Sequence, residues 1–570
     1  MMKRVFLMFY NRTSGINEAA FLLGFFTLLS QILGLIRDRI FASNIGPGPI
    51  LDAYYASFKI PDFLYVSLAS LASVTVILPM LSQKFKEGSP ENRSVAHQFF
   101  NQIFSVFSTV LVVVSVLLFI TMPWVAKFVV PGFPPESLHQ VIWMSRVMLL
   151  SPIIFGISTM IGSVTQMFQK FFIYALAPIL YNLGIIVGAL WLYPIMGPSG
   201  LALGVILGAC LHLSIQIPLL IKESFIPKFV TKINWSEIKS IIKTSLPRTV
   251  GLSMSSFTAI LLVSIISSFS PGTMSIFSFA FNLQSVPIGV IGISYSVASF
   301  PLLVRFFQNN ELGKFVDMIT QTLRKIIFWS LPIMALFIVL RAQIVRVLLG
   351  GGSFSWNDTR LTAGVLALFV FGIVAQSIVH VLVRAYYASG NTWKPLIMNF
   401  LGEIITVISA FVLIGLFDRV AGFRNFFETV LRLEGVAETR LTMVALAFTI
   451  GNILNMILLG SIFYKNFKQH FEVSSVRKLM ITTRDAIIAA IVMGVVGYWV
   501  LQMLANVIIQ DRLWGVLVQG LVAGILGIIT GGCVLKLLKN PDIDDFLGTI
   551  TKRFWKAKVV QDTVGTGVDI

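Results

Sequence analysis

The chain has 570 residues, of which 56% are hydrophobic and only 12% charged, with a mean hydropathy of +0.87. A soluble protein of this length carries about 25% charged residues, so the composition points to a polytopic membrane protein. The formal net charge of +18 is spread over alternate loops instead of one basic domain, so it is an orientation signal and no nucleic acid partner is expected.

The chain begins with a short basic stretch, Met1 to Asn17. The apolar run after it lacks a small-residue cleavage site, so it is expected to be retained as a first span. The apolar runs are continuous, whereas a transmembrane β-barrel would alternate apolar and polar residues; the expected class is all-α. With about 20 apolar residues per crossing, the sequence contains about fourteen spans, at 18–42, 51–84, 97–123, 138–168, 171–194, 198–221, 243–269, 274–307, 318–349, 361–388, 394–417, 441–466, 484–506 and 513–537. Cys210 and Cys533 lie within such runs and suggest neither a disulfide nor a metal site.

Alternate connections carry Lys84, Lys86 and Arg93, then Lys170, then Lys222 to Lys243, then Arg324 and Lys325, Lys394, and Lys465 to Arg484. The intervening Tyr193–Gly200 and Ser268–Thr273 carry none. The positive-inside rule therefore places both termini in the cytoplasm. Two outer connections depart from it: Arg341, Arg346 and Arg360 surround Gly350 to Phe354, and Asp418 to Arg440 holds four arginines balanced by four acids, read as a short amphipathic helix over the outer surface.

Pro178 and Asn182 open one span and Pro395 and Asn399 another, while Pro79 and Pro301 each close a long span; both pairs are offset by about 220 residues. An offset covering an even number of spans implies two six-helix lobes in the same orientation, with substrate bound in a central cavity between them. The expected division is 1–222 (first lobe), 223–242 (basic linker), 243–467 (second lobe), 468–483 (basic loop), 484–537 (two additional helices) and 538–570 (cytoplasmic tail).

The second span is ~50 Å long as a single helix, too long to cross without a break or a large tilt. Pro61 and Pro79 lie inside it, alongside Asp52, Lys59 and Asp62; proline frees backbone groups that protein or a wet cavity must satisfy. Pro61, Pro79, Pro287 and Pro301 are the candidate hinges. Arg37 and Arg39 flank Asp38 and point about 100° apart on a helix, so one faces a cavity as a fork for phosphate oxygens or both anchor the interface beside Asp38 or Asp52. Arg146 and Arg248 read as interfacial anchors, and Arg384 as a helix-end residue. Glu403 lies one turn after Asn399 on one face, either as a coupling-cation site or as an acid bonded to a neighbouring helix. No H-E-x-x-H, G-x-S-x-G or P-loop pattern occurs and the five histidines are scattered, so no enzyme is expected. Asp542 to Asp545 reads as a solvated segment.

The residues Leu33-Gly-Leu-Ile-Arg37-Asp38, Gly46, Asp52 through Lys59 and Pro61, Leu78-Pro79, Pro131-Gly-Phe133, Ala177-Pro178 with Asn182, and Arg384 through Ala388 with Pro395 resemble the signature of the MurJ (MviN) lipid II flippases. The resemblance covers spans 1 to about 12 and implies the multidrug/oligosaccharidyl-lipid/polysaccharide exporter fold, with the last two helices forming a lipid-tail groove. It implies transport of lipid II, an undecaprenyl pyrophosphate bearing the peptidoglycan disaccharide-peptide, from the inner to the outer leaflet of the bacterial cytoplasmic membrane. Transport would be by alternating access, without ATP hydrolysis, in a cell-wall and cell-shape pathway.

By the same resemblance Arg37 faces the pyrophosphate, Asp52 is the cavity acid, and Lys59 and Pro61 form the F-K-x-P element. Three further cavity arginines of the family fall here on Gln31, Tyr65 and Asn282, so Gln31, Asn282 and Lys59 would assist Arg37, with Arg39 as the first source of additional charge. Asn399 and Glu403 resemble a sodium-site pair, though span 7 has no matching Asp; the coupling ion would be Na+ or H+, with no other cofactor and no metal. The partners implied are the undecaprenyl-pyrophosphate-linked substrate and membrane lipid, with the chain acting as a monomer. The rival readings are a flippase for another undecaprenyl-linked oligosaccharide, a cation-coupled drug or solute antiporter, and a membrane-embedded enzyme or scaffold.

Overall fold

Continuous apolar sequence dictates helices, because a helix satisfies its own backbone where no water can. The computed structural model describes residues 16–69, 74–85, 90–507 and 513–546. Within them the regular structure is helical, apart from one isolated bridge between Gly351 and Phe354. Eleven helices are long and apolar enough to cross a membrane, and a twelfth span results if Trp356–Val370 and Ile373–Ala388, bent by 43°, count as one. These twelve fall on the third to fourteenth of the expected runs.

The first two runs differ from expectation. Ile16–Asn44 is one helix of 29 residues, but it is not among those eleven. The second run is interrupted: Pro49–Ser57 and Lys59–Leu64 are separate helices, a π-helical turn comes next at Tyr65–Ala69, and Val74–Lys84 resumes the α form. Between the two runs the chain reverses at Gly46, whose φ of +78° suits a residue without Cβ at a helix end. Pro49 then starts the next helix with its φ already set.

The chain divides into two compact units: Met1–Val286 with Leu348–Gly372 and Gly390–Leu459, and Pro287–Val347 with Ile373–Ser389 and Gly460–Ile570. In the first unit the helices Phe171–Val187 and Pro198–Ser214 approach through glycines. A Cβ on Gly188 would lie 2.5 Å from the Gly204 Cα, and Gly184 faces Gly208 just as closely. Where lipid and side chains are equally apolar, such backbone proximity supplies the dispersion contact that holds helices together. Aromatic side chains fill another part of this unit, where Phe99, Phe100, Phe104, Phe168 and Phe225 pack with Ile77 and Leu81.

In the second unit Leu312–Val339 packs along Val473–Ala505, which pairs in turn with Leu513–Leu537. Leu340, Val500, Leu501 and Ala523 form one buried cluster and Phe328, Ala489, Leu535 and Ile543 another. Beside the latter lies a polar knot that corrects the expectation of a solvated acidic tail. Asp542 is buried, accepts from the Thr482 hydroxyl at 2.9 Å and pairs with Arg324 at 3.1 Å. Asp485, fully buried, accepts from Asn540 at 2.9 Å. Asp544 and Asp545 are exposed, as the composition suggests. A charge follows its partners, and Arg324 lies more than two hundred residues away in sequence.

Candidate functional site

Arg37, on the Ile16–Asn44 helix, is held on three sides. Its Nε and Nη2 donate to Asp38 Oδ1 at 3.0 and 2.8 Å, and its Nη1 donates to Asn182 Oδ1 at 3.3 Å. Asp38 is almost wholly buried, and its second oxygen accepts from Asn282 Nδ2 at 2.8 Å. A buried carboxylate needs such compensation, because desolvation exceeds what one neutral hydrogen bond returns. The structure thus joins two predicted residues, Arg37 and Asn282, but through Asp38, and adds Asn182, which the sequence marks only as half of a repeated P-x-x-x-N. Asn182 is itself fixed, its Nδ2 donating to Ser30 Oγ at 3.2 Å and to the Pro178 carbonyl at 3.2 Å. Arg39, on the same helix, is half-buried.

Asp52 lies elsewhere than on a cavity wall. It is buried, and its carboxylate accepts from the Gly272 N–H at 2.5 Å and the Ser275 N–H at 2.8 Å, with the Ser275 hydroxyl as a further donor. These are the free N–H groups at the start of the Thr273–Pro287 helix, so Asp52 caps that helix from a distant part of the chain. Both of its oxygens are thus engaged by protein donors.

A cavity of about 570 Å³ opens in the first unit. Its walls include Gln31 and Pro61, both singled out by sequence, and also Asp62, Tyr65, Phe155, Tyr181 and His212. Arg37, Lys59, Asp52 and Asn282 do not line it, and among the described residues no arginine or lysine does. The Gln31 Oε1 is buried without a hydrogen-bond partner among the described residues. Phe155 is the hub of the aromatic wall: Tyr65, Tyr181 and His212 meet it edge-on at centroid separations of 5.9, 4.7 and 4.9 Å. His212 Nδ1 and Ser158 Oγ are 2.7 Å apart, Gln216 donates to the same hydroxyl at 2.6 Å, and Tyr65 is bonded to Thr159 at 3.1 Å. Tyr65, which stands where the family resemblance would place an arginine, is a wall residue.

The candidate hinges are distributed along these helices. Pro61 precedes the π-helical Tyr65–Ala69 by one turn, and Pro287 is followed directly by a second π-helical stretch, Ile288–Ile293. Pro301 lies within Ser294–Gln308 and Pro79 within Val74–Lys84; the side chains of Pro79 and Arg248 lie outside the described residues. π-Helical turns break the regular ladder and mark places where a helix gives.

Glu403 accepts from the Ser255 hydroxyl at 2.8 Å, whereas Asn399 Oδ1 accepts from Asn455 Nδ2 at 3.0 Å. Although one turn apart, the two face different neighbouring helices. The acid bonded to a neighbouring helix is the arrangement found. Arg146 donates to the Phe119 carbonyl at 3.0 Å and sits over the Phe119 ring. Arg384 donates to the Ile293 carbonyl at 3.2 Å and to Ser296 Oγ at 2.8 Å, a structural role.

Comparison with known proteins agrees with this architecture. The chain is 24% identical over 391 residues to a probable lipid II flippase MurJ of Rickettsia prowazekii (strain Madrid E), covering 68% of this chain and 76% of the relative. It is 28% identical over 378 residues to one of Buchnera aphidicola subsp. Acyrthosiphon pisum (strain APS), covering 65% and 73%. A solved lipid II flippase MurJ in an inward closed conformation superposes with a TM-score of 0.69 at 20% identity, over 91% of this chain and 99% of that one. An inward-facing multidrug resistance MATE family transporter of the MOP superfamily gives 0.61 at 17%, over 77% and 96%. Both likenesses establish the fold. The model of the family described as lipid II flippase MurJ matches residues 41–517, most of the chain, and the chain belongs to that family.

Proposed function

We propose that the protein moves an undecaprenyl-pyrophosphate-linked peptidoglycan precursor, lipid II or a close relative, from the inner to the outer leaflet of a bacterial cytoplasmic membrane by alternating access between two six-helix lobes. The observation that carries this beyond family membership is the Arg37 fork. It is the planar donor set that suits a pyrophosphate oxygen pair, and it rests on a carboxylate that keeps a second partner, Asn282, when the fork is withdrawn. Substrate phosphate competes with Asp38 for the guanidinium, so one charge-assisted bond is exchanged for another; Asp38 then keeps the Asn282 amide alone, a cost that the phosphate contacts must outweigh. In this reading both termini are cytoplasmic, the protein acts as a monomer, and the prenyl tail follows the Val473–Ala505 and Leu513–Leu537 helices. The Pro61 and Pro287 breaks absorb the motion. Glu403, with the Ser255 and Thr258 hydroxyls beside it, is an all-oxygen donor set suited to a hard cation such as Na+ or to a proton.

The test is complementation of a bacterium depleted of its own lipid II flippase. The wild-type chain restores growth, and Arg37→Ala, inserted in equal amount, does not. Growth that survives Arg37→Ala removes the phosphate role. Failure of the wild type despite membrane insertion points to another undecaprenyl-linked oligosaccharide, a reading favoured by Tyr65 and Asn282 standing where the resemblance expects arginines.

A further inference from the structure

The cavity of about 570 Å³ has the size of a pocket for a drug-sized molecule, yet its charge is the opposite of what a phosphate requires. Asp62 is the one ionisable carboxylate on its walls among the described residues. It is exposed, and its surface opens onto the cavity. Among the described residues its side chain makes no hydrogen bond and no ion pair within 4.0 Å, Lys59 one turn earlier included. The rings of Tyr65, Phe155 and Tyr181 line the same cavity. His212 is occupied by Ser158, and the Gln31 Oε1 is a further acceptor with no hydrogen-bond partner among the described residues.

We propose that this cavity binds an ammonium group carried on an apolar or aromatic body. An anion is disfavoured there, because it would meet a carboxylate and, among the described residues, no arginine or lysine. A bare inorganic cation is disfavoured too, since hard cations take six or more oxygens at close range and the cavity offers few across a far larger volume. An alkylammonium ion satisfies both kinds of wall: the carboxylate pairs with its charge, the ring faces attract it, and its body fills the apolar remainder. The same chemistry has two possible sources, a free amphiphilic amine or an amine on the head group of a lipid-linked substrate. The proposal stands whichever lipid the protein carries.

The full-length protein in nanodiscs is titrated with dansylcadaverine, a primary ammonium on an aromatic body, and with its N-acetylated neutral analogue; empty nanodiscs correct for partition into lipid. The wild type is expected to bind the amine and to bind the acetylated analogue at least tenfold more weakly. Asp62→Asn is expected to weaken amine binding about 30-fold or more, the range for removing one partner of a desolvated charge pair. Phe155→Leu, which leaves the carboxylate in place, is expected to weaken it about 3- to 30-fold through loss of a ring face. Equal binding of amine and acetylated analogue by the wild type overturns the proposal, as does wild-type affinity in both variants. Displacement of the probe by an amine-bearing lipid-linked precursor but not by its amine-acetylated form assigns the site to the substrate. Displacement by neither assigns it to free amines.

Discussion

Asp52 shows how a single carboxylate can hold a helix start from a distant part of the chain. Its oxygens receive the Gly272 and Ser275 N–H groups, which no other part of the helix start can satisfy. Asp52→Ala is expected to destabilise the fold by about 1–3 kcal/mol, the cost of stranding buried donors, read as a lowered melting temperature in detergent; Asp52→Asn, which keeps one acceptor, costs less. Glu438, in the connection before the Leu441–Phe467 helix, gives a pH-dependent case. Burial pushes its carboxyl up, but hydrogen bonds from Ser270 and Arg440 and the charge of Arg440 outweigh it, and the net direction is below its usual 4.5. A depressed carboxyl stabilises at neutral pH and loses that contribution as the pH falls through its folded-state value. The stability difference between the wild type and Glu438→Gln is therefore expected to be full at pH 7 and to shrink as the pH falls below the usual 4.5 and through the lower folded-state value, by melting curves across pH. At this scale the sequence was informative about which residues matter and poor about what they do. Arg37, Asp38 and Asp52 announce themselves as charges in apolar surroundings, but nothing local pairs them with Asn182, Asn282 and Gly272, which lie far along the chain. Asp62 announces itself equally, yet only the cavity identifies it as the exposed acid and Asp52 as the buried one.

Elements were more legible than residues, because the length and continuity of an apolar run reflect a physical requirement of the bilayer. Twelve of the expected runs appear as helices of spanning length once the bent pair is joined. The second run illustrates what a run cannot convey: Pro61 signals a break, but the π-helical Tyr65–Ala69 just beyond it depends on packing. Gly200, Gly204 and Gly208 recur every fourth residue in plain view, whereas their contacts with Gly184 and Gly188 come from three-dimensional pairing. Gly188→Val is expected to destabilise by at least about 1–3 kcal/mol, seen as a lower melting temperature. Gly251→Ala, where the added Cβ meets nothing within 4 Å, is the matched substitution expected to leave it unchanged.

For the whole molecule, family and fold class were readable because they are written in many weak positions at once, and the match over residues 41–517 accumulates them. The tail is illegible for the opposite reason, since the burial of Asp542 goes with one distant arginine.

The Arg37–Asp38 pair also shapes the electrical behaviour of transport. A cation tied to its own counter-anion sums to zero, so a helix that moves with both contributes no gating charge. Membrane voltage, worth ~2.3 kcal/mol per elementary charge per 100 mV, then acts through whatever the protein carries. A pyrophosphate leaving a negatively charged cytoplasm travels down the field, and the empty carrier returns without doing work against it. An ammonium bound at Asp62 would make the loaded carrier more positive, and the field would oppose its exit.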